Sequence, residues 1–175
     1  MSASTAFLTT KGQTMKPAIK RIASWLQPEG ILIDVPLRHS THALEAIADA
    51  ISVHHGLDSG PVFRALSRRE QAGSTGLGGG FAIPHARISG IERPITLLMR
   101  AQHPIPFKAA DGDPVSLLLA ILVPQHGDGN DHLQLLALVA ELFSKPRFRA
   151  QIDTGTDPAA IAESFRAGVS ELRGS

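Results

Sequence analysis

Residues 70–86 read EQAGSTGLGGGFAIPHA, a glycine-dense stretch that leads into a short apolar run and then a Pro–His pair. Glycines adopt positive φ without strain and let backbone amides approach an anion closely. The apolar run 81–83 is typical of a strand, and Pro84 fixes the backbone just before His85. The stretch therefore predicts one imidazole, restricted in orientation, at the mouth of a strand.

Helices and strands alternate irregularly around this stretch. Apolar residues at helical spacing predict helices that begin at Ser40 or Thr41, Ser59, Asn130 or Asp131, and about Asp157. Strands are predicted at 31–33, 81–83, 95–99 and 115–123, and the last of these is apolar enough to be buried on both faces. Residues 105–107 are predicted as an edge piece, because prolines cannot donate to a central ladder. The pattern predicts an α/β fold, a mixed β-sheet flanked by helices.

Composition favours one globular domain. The chain has 175 residues, a formal net charge of +1 and no cysteine, which excludes thiol chemistry and gives no reason to expect nucleic acid as a partner. Residues 1–16 are polar and without period, so we expect a mobile arm, with Met15 as an alternative start, before a single domain over 17–175. No run of about 18 apolar residues suggests a membrane span, and we expect a cytoplasmic protein.

His85 is the candidate reactive group. A neutral imidazole is abundant at pH 7 and is a good nucleophile toward phosphorus. Its other nitrogen must donate a hydrogen bond, and we expect a backbone carbonyl as the acceptor. The hydroxyls of Ser74 and Thr75, with charge from Arg68 and Arg69, could stabilise phosphoryl oxygens.

His132 is a second candidate, and two interpretations stay open. It should lie in the first turn of a helix after the most buried strand, where anions are often bound. There it could hydrogen-bond a phosphoryl group on His85. Alternatively, it is a surface histidine beside a helix cap.

The glycine-rich sequence and the remaining histidines also have interpretations that involve no phosphoryl chemistry. An isolated GxGGG sequence is more often a turn than an anion site, and this one lacks the Gly-Lys-Ser/Thr ending of a P-loop. Eight histidines and 16 acidic residues could supply metal ligands, yet no HExxH motif is present. The adjacent His54 and His55 fit the C-terminal end of a helix, where the helix dipole favours cations.

The 70–86 stretch resembles the active-site signature of phosphotransferase-system enzyme IIA of the fructose/mannitol/nitrogen-regulatory class. The resemblance begins at Glu70, continues through Leu77-Gly78 and ends in 82–86, Ala-Ile-Pro-His-Ala. Arg69 before Glu70 and the His132-Leu-x-Leu-Leu segment also resemble this family. Phe81 stands where an aliphatic residue is usual and would still pack in a strand.

The resemblance implies an α/β sandwich in which His85 accepts a phosphoryl group from phosphohistidine of a small carrier, HPr or its nitrogen-branch relative NPr. His132 would assist and Arg69 would contact the phosphoryl group and partners. No metal or organic cofactor would take part. Family precedent favours Nε2 as the phosphorylated ring nitrogen.

The resemblance also bears on the branch within the family. The segment GSTGLGGGFAIPHAR is most similar to the nitrogen-regulatory kind, so the chain is expected to be a free-standing regulatory IIA that binds targets such as potassium-transport proteins or sensor kinases. Two alternatives stay open. One is a sugar-branch IIA with a separate IIB partner, and the other is a binding module in which His85 never reacts.

Overall fold

The computed structural model describes residues 21–127 and 129–172, without the side chains of Asn130 and Asp131. The predicted arm, 1–16, and Met15 lie outside these ranges. Residues 21–25 are helical, and Ile22 and Leu26, which are spaced by about one helical turn, are buried in the core.

The strands and helices in the described part of the chain follow one another irregularly, as the sequence predicts. The strands are β1 (Ile31–Val35), β2 (Gly76–Gly78), β3 (Phe81–Ala82), β4 (His85–Ile88), β5 (Ile95–Ile105) and β6 (Val115–Pro124). The helices are α1 (Ser40–His55), α2 (Ser59–Gln71), α3 (Gly129–Ser144), α4 (Pro146–Thr154) and α5 (Pro158–Glu171).

The strands form one mixed sheet. Its order is β1-β5-β6-β3-β2, and β4 also pairs with β6. β5 runs antiparallel to β6, whereas β3 and β4 run parallel to it. The predicted fold class, a mixed sheet flanked by helices, is confirmed.

β6 divides the core into two layers. Leu117, Leu119 and Ile121 face the cluster that includes apolar side chains of α3, α4 and α5. Leu118 and Leu122 face the cluster that includes those of α1 and α2. Successive side chains of a strand point to opposite faces, so this strand is apolar from Leu117 to Val123 because helices cover both faces.

Several helix starts differ from the prediction. His39 caps α1, because its side chain accepts a hydrogen bond from the backbone N–H of His42, and Ser40 is already helical. Asp58 caps α2 in place of Ser59. α3 begins at Gly129, so Asn130 lies inside the helix. The Asp157 cap of α5 is confirmed.

Two strand predictions were wrong. Ile105 ends the long strand β5, which lies between β1 and β6 and is not an edge strand. The register with β6 shifts between Arg100 and Ile105, so Pro104 occupies a stretch where the ladder is already interrupted. His85 does not lie at the mouth of the preceding strand but begins its own strand, β4.

Candidate active site

Three elements bring His85, Arg69 and His132 together. Arg69 stands in the last turn of α2, His85 at the start of β4 and His132 in the first turn of α3. Arg69 Nε donates to His85 Nε2 over 3.0 Å. The ring centroids of His85 and His132 are 5.3 Å apart, with the planes tilted by 51°.

The hydrogen bonds of His85 define its tautomer. Its Nδ1 lies 2.7 Å from the carbonyl oxygen of Ile83, and a carbonyl can only accept, so Nδ1 carries the proton. Its Nε2 accepts from the Arg69 guanidinium and therefore holds a lone pair. The sequence analysis expected a backbone carbonyl without naming it, and the structure identifies Ile83.

Both imidazoles are held neutral. Burial lowers the pKa of His85; the Ile83 carbonyl opposes this shift, Arg69 adds to it and Glu70 opposes it. The pKa of His132 falls to about 4, first through burial and then through the neighbouring His85, Arg87 and Arg69. A pKa below the ordinary histidine value favours the neutral form of each ring at pH 7, and a neutral His85 with its proton on Nδ1 has a lone pair on Nε2.

Arg87 is a neighbour that the sequence analysis missed. It follows His85 by two positions in β4, so both side chains emerge from the same face of the sheet. Its Nη1 donates to the carbonyl of Gly127 over 3.1 Å. A lone arginine on a strand carries no motif, so only its charge could have signalled a site.

A second hydrogen bond of Arg69 fixes its guanidinium. Arg69 Nη1 donates to the carbonyl of Gly73 over 2.9 Å. Glu70 supports the same turn, since its carboxylate accepts from the backbone N–H of Thr75 over 3.0 Å and from the Thr75 hydroxyl over 2.5 Å. The Arg-Glu pair at the end of α2 therefore ties the glycine-rich segment to the helix.

The hydroxyls of Ser74 and Thr75 have structural partners. Ser74 Oγ donates to the carbonyl of Phe107 over 2.8 Å and accepts from the N–H of Gly76. Thr75 is buried and its hydroxyl is bonded to Glu70. Their phosphoryl-binding role stays a prediction, and the observed role of both hydroxyls is to hold the turn.

The sequence predicts that amides of the glycine-rich loop approach a bound anion. At Gly79 both backbone groups are instead bonded to side chains of the protein. Its N–H donates to the carboxylate of Asp111 over 2.8 Å, while Arg149 Nη1 donates to its carbonyl over 2.7 Å. Glycine is required here for conformation, because Gly78, Gly79 and Gly80 have φ of 91°, 61° and 74°. The loop is a clamped hairpin between β2 and β3.

Other kinds of site receive no support in the described part of the chain. No three His, Asp or Glu side chains described in the structure are arranged to hold a metal ion. Among the residues described, no helix combines the length and apolar character needed to cross a bilayer.

The layered mixed sheet and the Arg69–His85–His132 cluster define a protein of the phosphotransferase-system IIA class. A family model described as "Phosphoenolpyruvate-dependent sugar phosphotransferase system, EIIA 2" matches residues 2–167, and the chain belongs to this family. Membership implies phosphoryl transfer through a histidine.

Relatives of this chain are named for nitrogen regulation or for sugar transport. It is 34% identical over 142 residues to a nitrogen regulatory protein of Pseudomonas aeruginosa, and the alignment covers 81% of this chain and 92% of that protein. It is 35% identical over 113 residues to a fructose-specific EIIA component of Haloferax volcanii, and the alignment covers 64% of this chain and 73% of that protein.

Solved structures confirm the fold. The nitrogen regulatory protein IIA-Ntr of Neisseria meningitidis aligns with a TM-score of 0.76 and 33% identity, over 85% of this chain and 99% of that one. The mannitol IIA of Escherichia coli aligns with a TM-score of 0.66 over 80% of this chain and 98% of that one. At 17% identity this second likeness bears on the fold alone.

Proposed function

We propose that this chain accepts a phosphoryl group on Nε2 of His85 from a phosphohistidine of an HPr-like carrier, HPr or NPr. The observation that carries the proposal is the pair of hydrogen bonds on the ring. The Ile83 carbonyl holds the proton on Nδ1, and Arg69 marks the lone pair on Nε2.

The transfer step needs no proton acceptor. The Nε2 lone pair forms the new N–P bond while the donor's N–P bond breaks and its electron pair returns to the donor ring. The proton on Nδ1 stays in its hydrogen bond to Ile83. The cation that develops on the ring is stabilised by that carbonyl.

Arg69 exchanges its partner during this step. In the resting structure its Nε–H occupies the lone pair that must attack phosphorus. When the phosphoryl group arrives, the guanidinium moves from nitrogen to a phosphoryl oxygen, a better acceptor because it is charged. Its second bond, to the Gly73 carbonyl, keeps it close to the ring.

Neutral His132 supplies a hydrogen bond to the phosphoryl oxygens. Its ring lies beside that of His85, and its low pKa keeps it uncharged. Arg87, which lowers that pKa, adds positive charge to the same region. The positive end of the α3 dipole favours an anion there as well.

The regulatory branch is the first candidate for the use of this phosphoryl group. The relatives named nitrogen regulatory protein support it, including the one from Pseudomonas aeruginosa that covers 81% of this chain. In this function the phosphorylated and unmodified forms bind a cellular target differently, and the target classes are potassium-transport proteins and sensor kinases. The protein acts in the cytoplasm.

A sugar-branch IIA is the second candidate. The fructose-specific relative of Haloferax volcanii, 35% identical, favours it. In this case the phosphoryl group passes from His85 to a cysteine of a separate IIB protein. Transfer to such a cysteine, measured with purified IIB, decides between the branches.

A reconstituted relay tests the proposal. The protein is mixed with phosphoenolpyruvate, enzyme I and either HPr or NPr, and intact mass is recorded with the modified site. We expect one acid-labile phosphoryl group that is absent in His85→Ala. Faster transfer from NPr supports the regulatory branch. A folded protein that stays unmodified with both donors contradicts the carrier mechanism and favours a binding module in which His85 does not react.

A further inference from the structure

A groove beside the phosphoryl-transfer site has no role in the mechanism above. It has a volume of about 350 Å³ and lies between α2 and β4. Its walls come from 57–68, from the end of β4 and from Gln125 in the turn after β6. This volume is within the range of about 300–1,000 Å³ that small-molecule sites occupy.

Three arginines line the groove. Arg64 and Arg68 are one helical turn apart and share a face of α2, and Arg87 lines the groove from β4. Within the described residues, the guanidinium groups of Arg64 and Arg68 have no hydrogen-bond or ion-pair partner. Arg87 uses one donor on the Gly127 carbonyl, and its other donors have no partner among the described residues.

Among the described residues that line the groove, positive charge exceeds negative charge. Asp58 is the acidic residue in that set, and its carboxylate accepts from the N–H of Gly60 as the cap of α2. Like charges spaced as Arg64 and Arg68 are repel each other on a helix. An anion between these guanidinium groups relieves that repulsion and receives charge-assisted hydrogen bonds.

The floor of the groove is apolar. Val62 and Ile88 line it and are 2% and 7% exposed. Arginines above an apolar floor suit a carbon frame that carries separated anionic groups. We propose that this groove binds a small organic anion with at least two negatively charged groups, phosphate or carboxylate.

The groove is separate from the phosphoryl-accepting pair. Arg69 is turned by about 100° around α2 from Arg68, and it binds His85 instead of lining the groove. The proposed site therefore does not depend on whether His85 is ever phosphorylated. Arg87 neighbours both sites, so the test relies on Arg64 and Arg68.

An NMR titration of the full chain, labelled with ¹⁵N, tests the proposal. The probes are pyrophosphate and citrate, at about 0.15 M salt so that non-specific attraction is screened. We expect saturable shifts at the amides of Arg64, Arg68 and Ser89, with a Kd of about 1 mM or tighter. Binding of pyrophosphate alone identifies a phosphate ligand, and binding of citrate alone identifies a polycarboxylate.

Variants locate the binding. Arg64→Ala/Arg68→Ala should weaken it at least about tenfold, whereas His85→Ala and Arg69→Ala should retain it. The control Arg38→Ala/Arg147→Ala removes the same charge from exposed positions outside the groove. Because Arg64 and Arg68 are exposed, the folded spectrum should persist, and Arg64→Gln/Arg68→Gln provides a second pair that keeps the side-chain volume.

Three results overturn the proposal. One is the absence of saturable shifts up to about 10 mM of either probe. Another is binding that disappears in Arg69→Ala but persists in Arg64→Ala/Arg68→Ala, since the anion would then occupy the His85 site. The last is equal weakening in the control pair, which would mean attraction to overall charge.

Discussion

Two arginines of this molecule have different roles: one stabilises the fold and the other contacts the reactive histidine. At α4, Arg100 Nη1 donates to the carbonyls of Ile152, Asp153 and Gly155 over 2.7–3.0 Å, and its side chain is only 12% exposed. At the end of α2, Arg69 places its Nε–H on the imidazole lone pair of His85. A largely buried arginine whose donor is shared among three backbone carbonyls stabilises the fold. A donor on a nucleophilic nitrogen can instead transfer to a phosphoryl oxygen.

Arg69→Ala removes the arginine that contacts the reactive histidine, and its effect on the rate of phosphoryl acceptance should be the largest of those predicted here. We expect the rate of phosphoryl acceptance to fall by about 10²–10³, the usual cost of losing one positioned donor in a transition state. The melting temperature should change little. Initial rates with a phosphorylated carrier and calorimetry measure the two quantities.

The exposed residue Arg147 supplies the control for that experiment. Arg147→Ala removes the same charge without touching His85 and should keep the wild-type rate. Equal rates for Arg69→Ala and Arg147→Ala would show that Arg69 does not act in the transfer.

Arg100→Ala removes the arginine that stabilises the fold. Three carbonyls lose their charged donor, so we expect a loss of about 3 kcal/mol in the free energy of unfolding. This corresponds to a fall of roughly 10 °C in melting temperature for a chain of this size. Urea unfolding monitored by circular dichroism measures it.

The comparison further requires that folded Arg100→Ala still accept a phosphoryl group at nearly the wild-type rate at low temperature. A variant with normal stability and impaired transfer would reverse the assigned roles of Arg100 and Arg69.

The pH dependence of transfer sharpens the account of His85. Burial lowers its pKa, and the protonated ring has no lone pair on Nε2. The rate should therefore be constant from pH 8 to below the ordinary histidine value of about 6.5, then fall up to about tenfold per unit of pH. Because Arg69 lowers the pKa of His85, Arg69→Ala should move the fall to higher pH. A fall that begins above pH 7 in the wild type would contradict this.

His132 gives the smallest predicted effect, on stability in mild acid. Its pKa of about 4 in the folded protein lies below the unfolded value of about 6.5. The unfolded chain therefore binds more protons between these values, and the free energy of unfolding falls as the pH falls through that window.

His132→Gln removes this titration, so the loss of stability between pH 6.5 and 4 should be smaller in the variant. Urea unfolding at several pH values, with His126→Gln as an exposed control, tests it. Parallel curves for the wild type and His132→Gln would contradict the low pKa.

The sequence predicted the mixed sheet because β6 is apolar on both faces and the helices alternate with strands irregularly. It also singled out His85, Arg69 and His132, which the structure brings together from three separate elements. It could not identify the Ile83 carbonyl or orient the ring, since those depend on a side-chain torsion and not on residue type.

The glycine-rich segment shows which arrangements the sequence could not distinguish. A run of glycines signals positive φ, and that signal is the same for an anion-binding loop and for a tight hairpin. Only the tertiary partners, Asp111 and Arg149, show that the loop at Gly79 is a clamped hairpin. The cap at His39 was missed for a similar reason, because histidine is seldom an N-cap.

The central claim is that His85 presents an unprotonated Nε2 to the phosphoryl donor. Long-range ¹H–¹⁵N spectra of the imidazoles at pH 7, recorded before and after phosphorylation, test it most directly. The account predicts a neutral ring with the proton on Nδ1, and then a phosphoryl group on Nε2. A proton on Nε2 in the resting protein, or phosphorylation at Nδ1, would contradict it.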